Sequence, residues 1–173
     1  MKKQEKEIIG LFVRYLILLL VPLYNLYLIY LIFTPLTLYL SYLLLNLFYG
    51  ATLSGDLISF NDVTIQIIGA CVAGSAYYLL LILNLSTPDI KFGRRIKMIF
   101  YSLLLFLVFN VLRILILSSF LDTYPDLFDV THYIFWFFLS IVFVVGIWFF
   151  QVKHYKINKI PVYSDVKILT RYL

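Results

Sequence analysis

The sequence predicts an all-α integral membrane protein, a bundle of about five hydrophobic helices with an extracytoplasmic extended hairpin between helices two and three. Three observations carry this. Of 173 residues, 63% are hydrophobic and 13% charged, and the mean hydropathy is +0.97, whereas soluble domains are roughly half apolar and about a quarter charged. The apolar residues fall into runs that approach the roughly 20 residues needed to cross about 30 Å of hydrocarbon. The charges fall between those runs, and their sign alternates from loop to loop. A single cysteine excludes an internal disulfide and any cysteine-based zinc or iron-sulfur centre. The net charge of +5 sits at span ends without a basic folded module, so no nucleic acid is expected as a partner.

The expected helices cover 11–33, interrupted by Pro22, and 36–49, after Pro35; then 72–85, 96–121 and 133–150, all in one membrane domain spanning 1–173. The outer loop 50–70, "GATLSGDLISFNDVTIQIIGA", has Gly and Asn-Asp punctuation and β-branched residues, which read as an extended hairpin or irregular loop and not as a span. The amino-terminal "MKKQEKE" precedes a long apolar run with no small-residue cleavage site, which reads as a retained anchor.

Charge assigns the sides. The loop 86–95 and the residues just after it carry Lys91, Arg94, Arg95 and Lys97 against Asp89. The tail 151–173 carries Lys153, Lys156, Lys159, Lys167 and Arg171 against Asp165. By the positive-inside rule both are cytoplasmic. The loops 50–70 and 122–131 carry only acidic charges, Asp56 and Asp62 in one and Asp122, Asp126 and Asp129 in the other, so both face outward. Lys2, Lys3, Lys6 and Arg14 ask for a cytoplasmic amino terminus, yet two full spans before an external hairpin would put it outside. The run 36–49 is short enough for an incomplete crossing, and the parity stays open.

Polar residues inside the spans direct attention to function, because hydrocarbon makes each one costly. Arg14 lies near a helix end and can snorkel. Arg113, in "VFNVLRILILSSF", shares a helical face with Asn110 three residues before it. At 1.5 Å per residue from the cytoplasmic ends, Cys71 stands roughly 21 Å up, Arg113 roughly 24 Å and His132 roughly 28 Å. Three useful side chains on consecutive helices thus reach nearly one depth at the outer edge. Together they suit acyl transfer: a thiolate attacks a carbonyl, an imidazole moves the proton, and a guanidinium holds the oxyanion. The plainer readings are a buried small thiol, an interfacial histidine, and an arginine that reaches headgroups while Asn110 bonds a neighbouring helix.

The order of an external hairpin, "ACVAGSAYYLL", a basic loop, "FNVLRILIL" and "DVTHYIFWFF" resembles the exosortase and archaeosortase family of membrane cysteine transpeptidases. The resemblance covers roughly Leu36 to Phe150. It departs from the family's Cys, then Ser or Thr, then Gly at "CVAG", and this chain lacks the additional spans of longer members. It implies Cys71 as nucleophile, Arg113 as catalytic arginine, His132 as third member and Asn110 in support. It also implies substrate proteins anchored by a carboxy-terminal motif, a transmembrane helix and a basic tail. These are cut at the outer face of the cell membrane, with transfer to an acceptor such as a lipid amine, or to water. Membrane lipids are the other expected partner.

No cofactor or metal is expected; Asp122, Asp126 and Asp129 lack EF-hand spacing and Pro125 interrupts them. The glycosylation triplet at Asn84 falls at a cytoplasmic helix end, and the 15 tyrosines and 16 phenylalanines read as packing and belt residues. The competing class is a non-catalytic small polytopic membrane protein, a transporter subunit or assembly factor.

Overall fold

Apolar runs with few breakers become helices, and in the computed structural model the described residues are mostly helical. The structure describes residues 3–158, 161–163, 165, 166 and 170. In chain order these form α1 (Lys3–Leu23), α2 (Tyr27–Tyr49), β1 (Thr52–Ser54), β2 (Leu57–Phe60), β3 (Val63–Gln66), α3 (Gly69–Val72), α4 (Gly74–Leu85) and α5 (Phe92–Thr123). A 3₁₀ turn (Pro125–Leu127), α6 (Phe128–Ile134), a π-helical stretch (Phe135–Leu139) and α7 (Ser140–His154) follow. Two helices, α2 and α5, are long and apolar enough to cross a membrane. Of the basic residues used to assign sides, Lys2, Lys159, Lys167 and Arg171 lie outside the described residues.

The first helix ends earlier than expected, and the second starts earlier. The chain breaks at Tyr24–Leu26, where Asn25 and Leu26 take left-handed backbone with φ of 49° and 58°, and Asn25 N–H turns back to Pro22 O (2.9 Å). Asparagine tolerates that conformation better than most residues. Pro35, expected to divide two helices, lies inside α2; a proline removes one donor, and a helix long enough to be held by its neighbours absorbs the loss. The run 36–49 is therefore the second half of a 23-residue helix, which at 1.5 Å per residue is roughly 35 Å long.

The expected hairpin is a three-stranded antiparallel meander, β1-β2-β3, pairing Leu53 with Ile58 and Ile58 with Ile65. Its turns use left-handed residues, Gly55 and Asn61. Ile58 and Phe60 point from β2 into a cluster with Leu45, Ala51, Ile67 and Ile114, which fastens the sheet to α2 and α5.

Helix α5 is the axis on which the rest is measured. Going along it, Arg95 bonds the carbonyls of Asn84, Leu85 and Thr87, Phe106 packs edge-on to Tyr77, and Asn110 reaches Cys71, so α4 runs antiparallel to it. Helix α7 is antiparallel too: Arg113 meets Ser140, Phe109 stacks on Phe143 and Ser102 meets Gln151. At the far end Tyr49 donates to Ser119 (2.8 Å) and Asn61 to Asp122 (3.0 Å). Arg14 lies at the opposite end, bonded to Leu85 O and Thr87 O. Between Arg14 and Tyr49 the chain therefore passes once from the Arg95 end of the bundle to the sheet end. Arg14 does not snorkel freely: Asp165 pairs with it at 3.0 Å.

Candidate functional site

At the sheet end, the loop after β3 leads into α3, a single turn, and then into α4. Cys71 belongs to α3, ahead of the long helix. The two are separated because Ala73 is left-handed, φ 59° and ψ 47°. This interrupts the helix that the sequence had starting at residue 72. A side chain on Gly74 would meet the Tyr30 ring at 2.7 Å, so that position needs glycine for the approach of α2.

The backbone at the cysteine is heavily used. Cys71 N–H and Val72 N–H both donate to Ile68 O, at 2.9 and 3.3 Å. The Cys71 carbonyl accepts from Asn110 Nδ2 at 2.8 Å and from Arg113 Nη2 at 3.5 Å. The expected shared face of Asn110 and Arg113 is thus the face that holds the cysteine segment. Arg113 also donates from Nη1 to Ser140 Oγ (2.8 Å). Its Nε is buried without a hydrogen-bond partner among the described residues, on a side chain only 5% exposed. The Cys71 thiol is half-buried and donates weakly to Gln66 O at 3.8 Å.

Cys71, Arg113 and His132 line one cleft of about 300 Å³, closed on one side by Thr64–Ile68 and on the other by Phe128 and the last turns of α5. Asn110 stands behind the cysteine and outside the cleft lining. His132 is exposed and stacks on Phe128 with ring centroids 5.3 Å apart and planes 6° apart. The rise per residue had put these three at one depth; the fold also brings them together laterally.

No family model, curated protein or solved structure matches this chain. The geometry therefore carries the functional argument by itself.

Sequence reasoning missed Ser140 and Gln66. Ser140 follows the π-helical stretch Phe135–Leu139, whose wider turn shifts the register by one residue and brings the hydroxyl to Arg113. Nothing in "FWFFLS" announces that shift. Gln66 was read as hairpin, and its contribution is a backbone carbonyl. Asn84, set aside as a glycosylation triplet, is buried and bonds Ser102 Oγ at 3.0 Å. No group of three or more metal-ligating side chains occurs among the described residues.

Proposed function

We propose that this chain is a multi-pass membrane protein that acts as a protein-sorting cysteine transpeptidase at the outer face of the cell membrane. The membrane reading rests on apolar surface. Only 28% of the apolar window of α2 and 39% of that of α5 is buried within the fold, unlike the core helix of a soluble protein, and exposed patches of that extent need an apolar surrounding. Helices α1–α2, α4, α5 and α6–α7 then make the bundle. The Arg95 end, with its lysines and arginines, faces the cytoplasm, and the sheet with Asp56 and Asp62 faces outward. One passage between Arg14 and Tyr49 supports a cytoplasmic amino terminus, the side that the charges of Lys3, Lys6 and Arg14 ask for.

The single observation that carries the chemistry is the common cleft of Cys71, Arg113 and His132. Cys71 sulfur attacks the scissile carbonyl while its proton goes to His132; the S–C bond forms and the carbonyl oxygen takes the electron pair. Arg113 stabilises that oxyanion, since the Val72 N–H that would otherwise serve is held by Ile68 O. His132 returns the proton to the leaving amine as the C–N bond breaks. An amine acceptor, such as a lipid headgroup, then attacks the thioester carbonyl and gives a proton to His132; the new C–N bond forms as the C–S bond breaks, and His132 returns that proton to the Cys71 thiolate, while water in place of the amine gives hydrolysis. The substrate is an anchored protein whose extended segment emerges beside its own transmembrane helix.

The reading of Arg113 as a packing charge in a non-catalytic protein draws on its bonds to Ser140 and the Cys71 carbonyl. One experiment separates the two. Cys71→Ser, Arg113→Ala and His132→Ala variants are each expressed with a membrane-anchored candidate substrate, whose mass is followed. Processing that survives Cys71→Ser ends the enzyme reading; its loss in all three variants supports it.

A further inference from the structure

The cleft is touched by Thr64, Ile65 and Gln66, consecutive residues of β3, and by Ile67 and Ile68 in the loop just after it. Side chains in a strand alternate between faces, so a cleft that meets consecutive residues meets the strand from its edge. β3 is the outer strand of the sheet, and its backbone register can be worked out. Phe60 and Val63 pair across a two-residue turn, an arrangement in which those two residues exchange hydrogen bonds. Antiparallel pairs alternate, so Ile58 and Ile65 exchange bonds next. Ile67 N–H donating to Asp56 O at 3.0 Å continues the same alternation. Thr64 and Gln66 therefore turn their N–H and C=O groups away from β2, toward the cleft. The weak contact of the Cys71 thiol with Gln66 O fits that direction.

We propose that the free edge of β3 is a strand-addition site, at which Thr64 and Gln66 hydrogen-bond the backbone of an extended polypeptide segment and deliver one of its peptide bonds to Cys71. The inference rests on the reading of the cleft as a protein-processing site and supplies its recognition mode. An added strand lies about 4.8 Å from β3, on the side of β3 that faces the cleft. Its end beyond Gln66 comes to the cysteine five residues further on. Among the described residues the cleft lining includes Arg113 and His132 and no carboxylate, so no side-chain charge in it repels the carbonyl oxygens of an incoming chain. Main-chain bonds supply the affinity in this mode and side-chain pockets the selectivity. The cleft therefore takes many sequences in extended form, and helical segments poorly.

The probe for the test is the β-forming chloromethyl ketone Ac-Thr-Val-Thr-Val-Ala-CH₂Cl, which alkylates Cys71 with loss of chloride and needs no catalytic turnover. Two versions are N-methylated, one at both threonines and one at both valines. Each rate is taken relative to iodoacetamide on the same detergent-solubilised full chain. One methylated version falls by about tenfold, because its blocked N–H groups face β3, while the other stays near the parent. Equal rates for all three probes overturn the proposal on the natural chain, whatever the variants do. Thr64→Pro removes an edge N–H without touching the backbone ladder to β2 and lowers the rate ratio. An unchanged ratio in Thr64→Pro also overturns it. Alkylation that depends on strand geometry, in a chain that processes no substrate, would sink the transpeptidase reading alone. Processing without such dependence would sink only the strand addition.

Discussion

Asn110 donates from Nδ2 to the backbone carbonyl of Cys71 over 2.8 Å. A helix-interior amide on α5 thus fixes the peptide that carries the thiol, and the side chain is 1% exposed. Asn110→Ala leaves that carbonyl with only the 3.5 Å contact from Arg113. The loss is roughly 1 kcal/mol, in the range found for buried and interhelical hydrogen bonds. Unfolding in mixed micelles with increasing dodecyl sulfate measures it. Iodoacetamide labelling of Cys71 should quicken in the same variant, because the α3 turn loosens.

Arg113 and Ser140 form the second anchor. Arg113→Lys keeps the charge and loses the planar fork that serves Ser140 and the Cys71 carbonyl together. If Arg113 holds the oxyanion, processing falls by about 10²–10³ in kcat. Ser140→Ala should lower kcat less, with KM nearly unchanged, because it frees the guanidinium to turn without removing it. A Ser140→Ala effect confined to KM would contradict this role.

Much of this site could be read from the sequence, and the reasons are physical. The helical rise is nearly constant, so counting residues put Cys71, Arg113 and His132 at one level. Asn110 and Arg113 share a face by the same geometry. What failed depended on backbone choices that composition does not encode. Pro35 is an obvious breaker that breaks nothing, whereas the interruption expected at Pro22 falls just after it, at the left-handed Asn25 and Leu26. The third strand was hidden because a hairpin and a meander share the same turn residues. The partner of Arg14 is Asp165, 151 residues away, and no local pattern connects them.

Ala73 offers a test of the departure at "CVAG". Its left-handed backbone is one that glycine adopts without steric cost and alanine does not. Glycine is also what the resembled pattern has two residues after the cysteine. Ala73→Gly should stabilise the chain by about 0.5–1 kcal/mol, the strain removed being partly offset by the freer unfolded chain. Gly74→Ala has the opposite sign, with a cost of about 1 kcal/mol for displacing the Tyr30 ring. Tyr30→Ala should erase that cost in a double-mutant cycle.

The Arg14–Asp165 pair closes the other end of the bundle, and its two members are not equivalent. Arg14 also donates to Leu85 O and Thr87 O, so without Asp165 it keeps two acceptors at the carboxyl end of α4, where a cation is favoured. Asp165 has a side chain only 2% exposed and, besides Arg14, accepts from Tyr15 Oη at 3.1 Å. Removing the arginine strands a buried carboxylate and costs roughly 3 kcal/mol. Arg14→Leu should therefore destabilise more than Asp165→Leu, and the double variant should be less damaged than the sum of the two. Additive losses in the same micelle unfolding assay would mean that the two charges do not act as a pair.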